Sequence, residues 1–165
     1  MSRATVVALL MLMASPLSAQ EATQAPFVSD VARKVLLDPT TYAPAVLAWA
    51  ATRLDWGSSQ VFFQNGFVEH NARFTISGRA DDAAISYRAG NRQILLDAVA
   101  NLQVSLLNNA SERVIERLLQ PRFVNHPKLL RTIGFIERSA VASFWTWRLS
   151  AGHVRQWQDN VHGVQ

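Results

Sequence analysis

The sequence predicts an all-α, bundle-like domain of about five helices behind an N-terminal signal peptide. Three observations support this class. Apolar residues recur at three- and four-residue intervals from Ile94 to Leu106 and from Leu129 to Trp147, the repeat of one helix face. Helix-stopping residues separate the periodic stretches, at Asp38-Pro39, Pro121 and Asn125 to Pro127. The 165 residues, 49% of them hydrophobic, suffice for one domain with its own core.

Residues 1–19 read as a signal peptide. Arg3 supplies the positive start, Ala4 to Ala14 form an uncharged apolar run, Pro16 breaks it, and Ala19 offers a small residue for cleavage. Residues 20–27 form a flexible polar lead, and residues 28–165 a single helical domain. Ser29 or Asp30 caps the first helix, which carries Val31, Val35 and Leu36 and ends at Asp38-Pro39.

The second helix starts near Pro44, a residue tolerated in a first turn. It carries Val46, Leu47, Trp49, Ala50 and Leu54 until Gly57 and Ser58 interrupt or bend it, and the helical pattern resumes over residues 60–69. Phe74 to Asp82 has the composition of a loop with a brief extended piece, and Asp81-Asp82 caps the next segment. The third helix runs from about Arg92 to Asn108, with Ile94, Leu95, Ala98, Val99, Leu102 and Leu106 as its stripe. Ser111 caps a short fourth helix that Pro121 stops. In the fifth, Leu129, Ile133, Ile136, Ala140, Phe144 and Trp147 form the core-facing stripe, and the helix ends at Gly152 or continues through Trp157.

Composition closes several functions. With no cysteine there is no disulfide partner, zinc–thiolate site or thiol nucleophile. The formal net charge is +4, carried mostly by arginines in the C-terminal third. Such an excess suits an anionic membrane surface. Export argues against nucleic acid, and the wide spacing of the basic residues makes a solvated surface the expectation. The charge-free stretches Pro39 to Thr52, Trp56 to Val68 and Ala98 to Ser111 fall short of a membrane span.

One stripe stands apart. On a continuous helix, Asp55, Ser59, Phe62, Gly66 and Glu69 share a face. Fourteen residues at about 1.5 Å each put the two acids about 21 Å apart, whereas paired glycosidase carboxylates stand about 5 to 9.5 Å apart. They cannot form a dyad unless the chain folds back at Gly57. His70 and Asn71 would end this helix, Asn71 in the left-handed conformation, with Arg73 solvated or paired with Glu69. GFVEHNARF (66–74) thus reads as a helix terminus.

The run LDWGSSQVFFQNGFVEHNARF resembles small bacterial hydrophobic proteins that have no assigned reaction. Their pattern is Asp, then Thr or Ser a turn later, then Gly, then Glu-x-Asn-Pro. Asp55, Ser59, Gly66, Glu69 and Asn71 match it, and Ala72 stands in place of the proline. The likeness spans about twenty residues. It implies a stripe packed against other helices near a membrane, and no catalytic role.

No two of His70, His126, His153 and His162 have metal-binding spacing, so neither metal nor cofactor is expected. Glu69, His126 and His153 could meet only through the fold. Neither a Gly-x-Ser-x-Gly elbow nor Ser-x-x-Lys occurs. Near the C-terminus, Trp145, Arg148, Arg155 and Trp157 form a candidate interaction face, while Phe144 and Trp147 belong to the core stripe.

These features favour an exported, non-enzymatic interaction domain of a bacterial periplasm or envelope. Its partner would be an envelope protein or an anionic membrane surface. Two alternatives remain. One is a small hydrolase using Glu69 with His70 or His153. The other is an integral membrane protein whose polar stripe Asp55, Ser59, Glu69 and Asn71 lies between helices.

Overall fold

A computed structural model describes residues 26–163. The residues expected to form a signal peptide (1–19) and most of those expected to form the polar lead lie outside them. Four α-helices form one compact domain: α1 Phe27–Leu36, α2 Ala43–Gln64, α3 Tyr87–Leu119 and α4 Pro127–Gly163. Short 3₁₀ turns at Pro39–Thr41, Ala72–Phe74 and Gln120–Phe123 join them. The described residues contain no strand, only two isolated bridges, Glu69 with Asp82 and Thr75 with Ala84.

Among the described residues there are four α-helices rather than five, because the expected third and fourth are one. α3 runs for 33 residues, and Ser111 sits mid-helix, where its hydroxyl donates back to the Leu107 carbonyl at 2.9 Å. Its true N-cap is Ser86, whose hydroxyl accepts from the Ala89 amide. α1 starts at Phe27, two residues before the expected cap, so the lead stops short of it. α2 passes through Gly57 unbroken, and α4 continues past Gly152 to Gly163.

α2 ends at Gln64, five residues earlier than its pattern suggested. Gly66, at φ +85°, supplies the left-handed residue. Its amide donates to Phe63 O at 3.1 Å, and the Phe67 amide donates to Phe62 O at 3.1 Å. The Phe62 and Phe67 rings meet edge to face, 5.8 Å apart, across this cap. Asn71 is extended (φ −87°) and instead caps the 3₁₀ turn, accepting from the Arg73 amide. Arg73 pairs with Asp97 rather than Glu69.

α2 packs along both α4 and α3. A small aromatic core of Trp56, Phe74 and Ile94 closes one end. Trp56 lies so close to Gly90 that a β-carbon there would meet the indole Cε2 at 2.2 Å. Elsewhere the buried faces carry small residues, notably Ala45, Ala48 and Ala51 of α2 and Gly134 and Ala142 of α4.

The expected core stripe of the last helix is real but faces outward. Leu129, Ile133, Ile136, Ala140, Phe144 (55% exposed) and Trp147 (65%) are all on the surface. The buried face of α4 carries Leu130, Gly134, Arg138, Ala142 and Asn160. On α3, Ile94 is buried whereas Leu95 and Val99 are exposed. A periodic pattern identifies an apolar face without saying which side meets the neighbouring helix. Here the opposite face has the small residues that permit close approach and the polar groups that pair across it.

Two arginines expected on the solvated surface are also inside. Arg138, 2% exposed, and Arg113 bridge α4 and α3 to Asp38 at the end of α1. Asp38 Oδ2 accepts from Arg113 at 2.6 Å and from Arg138 at 3.1 Å, and Glu116 accepts from both guanidiniums at 3.0 and 3.3 Å. Burial opposes the Asp38 charge, but hydrogen bonds from the Thr40 hydroxyl and amide, with both arginines, hold its carboxyl below the ordinary range. No helix among the described residues is long and apolar enough to cross a membrane.

Candidate functional site

The reversal at Gly66 gives the polar stripe a geometry that a straight helix could not. The loop beyond it folds back along α2, and the paired amides and carbonyls of Glu69 and Asp82 (2.8 and 3.2 Å) fix it there. Asp55, Ser59, Glu69 and Asn71 therefore line one cleft, closed on its far side by α4. The fold-back needed to bring the two acids to one site occurs at Gly66, not Gly57.

α4 contributes His153, Gln156 and Asn160, which share a helix face at three- and four-residue steps. His153 Nδ1 lies 2.7 Å from Asp55 Oδ2. Facing a carboxylate, Nδ1 carries the proton, which leaves Nε2 as the open ring nitrogen. Ser59 donates to the other Asp55 oxygen at 3.3 Å. The buried Asn160 amide donates to the Ser58 and Ser59 hydroxyls, each at 2.9 Å, and its carbonyl accepts from Gln156 at 3.0 Å.

This arrangement resembles a catalytic triad only in composition. Ser59 is bonded to the acid, not to the imidazole, so no base is placed to activate its hydroxyl. Glu69 Oε1 accepts the Asn71 amide at 2.7 Å, and among the described residues Glu69 bonds neither His70 nor His153. His70 sits at the outer rim, 82% exposed in its side chain and paired with Asp81. His126 immediately precedes α4 while His153 lies far along it, about 40 Å away at helical rise. The trio Glu69, His126 and His153 is therefore not assembled. No group of three metal-ligating side chains occurs among the described residues.

The C-terminal candidates lie elsewhere. Trp145 flanks a second cavity of about 280 Å³ beside Pro44, Val104, Ala142 and Leu149. Arg148 and Arg155 are exposed and Trp157 is half-buried.

Sequence reasoning missed Ser58, Gln156 and Asn160. The spacing of His153, Gln156 and Asn160 was a usable signal, since polar residues repeated along one helix face. The Asp38–Arg113–Arg138–Glu116 cluster gave no such signal, because its members come from three distant segments. Comparison with protein-family models, with curated proteins and with solved structures finds no match for this chain.

Proposed function

We propose that this chain is a non-enzymatic, envelope-associated helical domain whose outer faces contact the acyl layer of a membrane. The observation that carries this reading is the distribution of its apolar side chains. Among the described residues, thirty-one large apolar or aromatic side chains are exposed, against ten buried hydrophobic residues of which four are alanine. Fully burying one such side chain contributes about 1.5–3 kcal/mol, so Ile133, Phe135, Ile136, Phe144 and Trp147, each already about half covered, together represent on the order of 5 kcal/mol.

A docking site for one protein partner is a single patch, ordinarily a few hundred Å². The exposed residues here lie on all four helices: Val28 and Leu36 on α1, Val46, Leu47 and Trp49 on α2, Leu95, Leu96 and Leu107 on α3, and the α4 stripe. That spread suits a surrounding apolar medium better than one partner. The interior agrees with it: small residues at the helix contacts and polar groups paired inward are how helices associate in lipid. The exposed Arg148 beside Trp147 suits the headgroup boundary.

Lipid contact would be a property of the assembled bundle, with its Asp38–Arg113–Arg138–Glu116 cluster and Asp55–His153 pair turned inward, rather than of any single segment. Fractionation tests it. The tagged full-length chain is expected in the envelope fraction, retained through high salt and released by detergent. A soluble, monodisperse monomer obtained without detergent would overturn it. Release by salt alone would replace it with a peripheral, arginine-mediated attachment.

A further inference from the structure

The cleft beside α2 is not explained by membrane association, and its chemistry is distinctive. Its wider part encloses about 450 Å³, within the range of small-molecule sites. One wall is aromatic, formed by Phe62, Phe63 and Phe67, with Val68 beside them. Asp55 and Glu69 line the same space, with His70 among its other lining residues, and no lysine or arginine lines either part of the cleft.

The two carboxylates differ. Asp55 is engaged by His153 and Ser59. Glu69 uses one oxygen for the Asn71 amide, and its other oxygen has no hydrogen-bond partner among the described residues. Arg73, the nearest cation in sequence, is committed to Asp97. An open carboxylate oxygen in a space that aromatic rings also line is complementary to a cation that has N–H donors and an apolar body. An anion would meet repulsion, and a divalent metal would find too few ligands.

We propose that this cleft binds an organic ammonium ion, its N–H groups donating to Glu69 and its apolar portion lying on the phenylalanine wall. Glu69 supplies charge recognition and the rings supply cation–π contact and hydrophobic burial. The site does not depend on what covers the outer helix faces. Gly66 serves it by turning Phe67 and Glu69 back over α2.

The test is calorimetric titration of the purified full-length chain with n-butylammonium chloride, with n-butanol as the neutral control. The ammonium should bind saturably and the alcohol about tenfold more weakly or less, the scale of a lost charged hydrogen bond. Glu69→Gln retains the acceptor for the Asn71 amide and should keep the helical content. It should weaken ammonium binding about tenfold or more while leaving the alcohol unchanged. Phe67→Leu keeps the apolar volume but removes the ring, so it should weaken the ammonium selectively.

Absence of saturable binding would overturn the proposal. Equal affinity for ammonium and alcohol, or binding indifferent to both substitutions in folded variants, would do so as well. Competition identifies the source of the ammonium. Displacement by vesicles of ethanolamine phospholipid but not choline phospholipid supports a headgroup ligand with N–H donors. Displacement by neither supports a free amine.

Discussion

His153 and Asp55, 98 positions apart in the chain, meet at 2.7 Å and join α4 to α2 within the polar cleft. Their side chains are 33% and 16% exposed, so solvent screens the pair only in part. A double-mutant cycle with Asp55→Asn and His153→Gln should give a coupling of about 1 kcal/mol. Additive effects in thermal unfolding would mean that the two helices are held by other contacts.

Gly66 makes the reversal that places Glu69. A β-carbon there has room but not the right backbone, since φ is +85°. Gly66→Ala should cost about 1–2 kcal/mol, and it should weaken butylammonium binding through displacement of Glu69. Gly66→Asn, better tolerated at positive φ, should lie between the two. Equal stability of all three proteins would show that the cap is not formed.

Gly90 answers to space instead. A methyl group would collide with the Trp56 indole at 2.2 Å, so Gly90→Ala should destabilise by about 1–3 kcal/mol. Trp56 fluorescence should shift as the ring moves. A neutral substitution would place Trp56 elsewhere.

The Asp38 cluster sets an acid limit on stability. Asp38 has a carboxyl held below the ordinary range, so its stabilising contribution is complete above the unfolded value, about 3.9. It is lost as pH falls through the lower folded value. Glu112 acts in the opposite sense, because burial and the neighbouring Glu137 carboxylate raise it. The penalty from Glu112 is present above its raised folded value and is relieved as pH falls through it. Acid unfolding of Asp38→Asn should lack the Asp38 limb and that of Glu112→Gln should be steeper. Arg138→Ala, which leaves Arg113 to hold both Asp38 and Glu116, should cost about 1.5–3 kcal/mol, the scale of a lost charged hydrogen bond. An Asp38→Asn protein with an unchanged acid limb would contradict this assignment.

The legibility of the fold in the sequence depended on what each signal measures. Helical class was legible, because the apolar spacing of α3 and α4 is a property of each segment alone. Facing was not. Ile133 and Phe144 carry the same periodicity whether a neighbouring helix or lipid covers them, and only the small residues Gly134 and Ala142 opposite hinted at the contact side. Helix ends were partly legible: Pro39 and Pro127 marked real boundaries, but Gly66 was passed over for Asn71. The cleft was half visible. Asp55, Ser59, Glu69 and Asn71 stood out as a stripe, while His153 and Asn160 join it from about 100 residues away. That link requires the packing of α4 on α2, which no local pattern encodes.

The central claim is that the outer faces of the bundle meet acyl chains, and fluorescence quenching by bromine-labelled phospholipid tests it most directly. Single-tryptophan variants retaining either Trp147, 65% exposed on the α4 stripe, or Trp56, 4% exposed in the core, would be reconstituted into vesicles. The account predicts strong quenching of Trp147 by bromines on the acyl chain and little quenching of Trp56. Trp147 quenched by an aqueous quencher but not by the brominated lipid would contradict it.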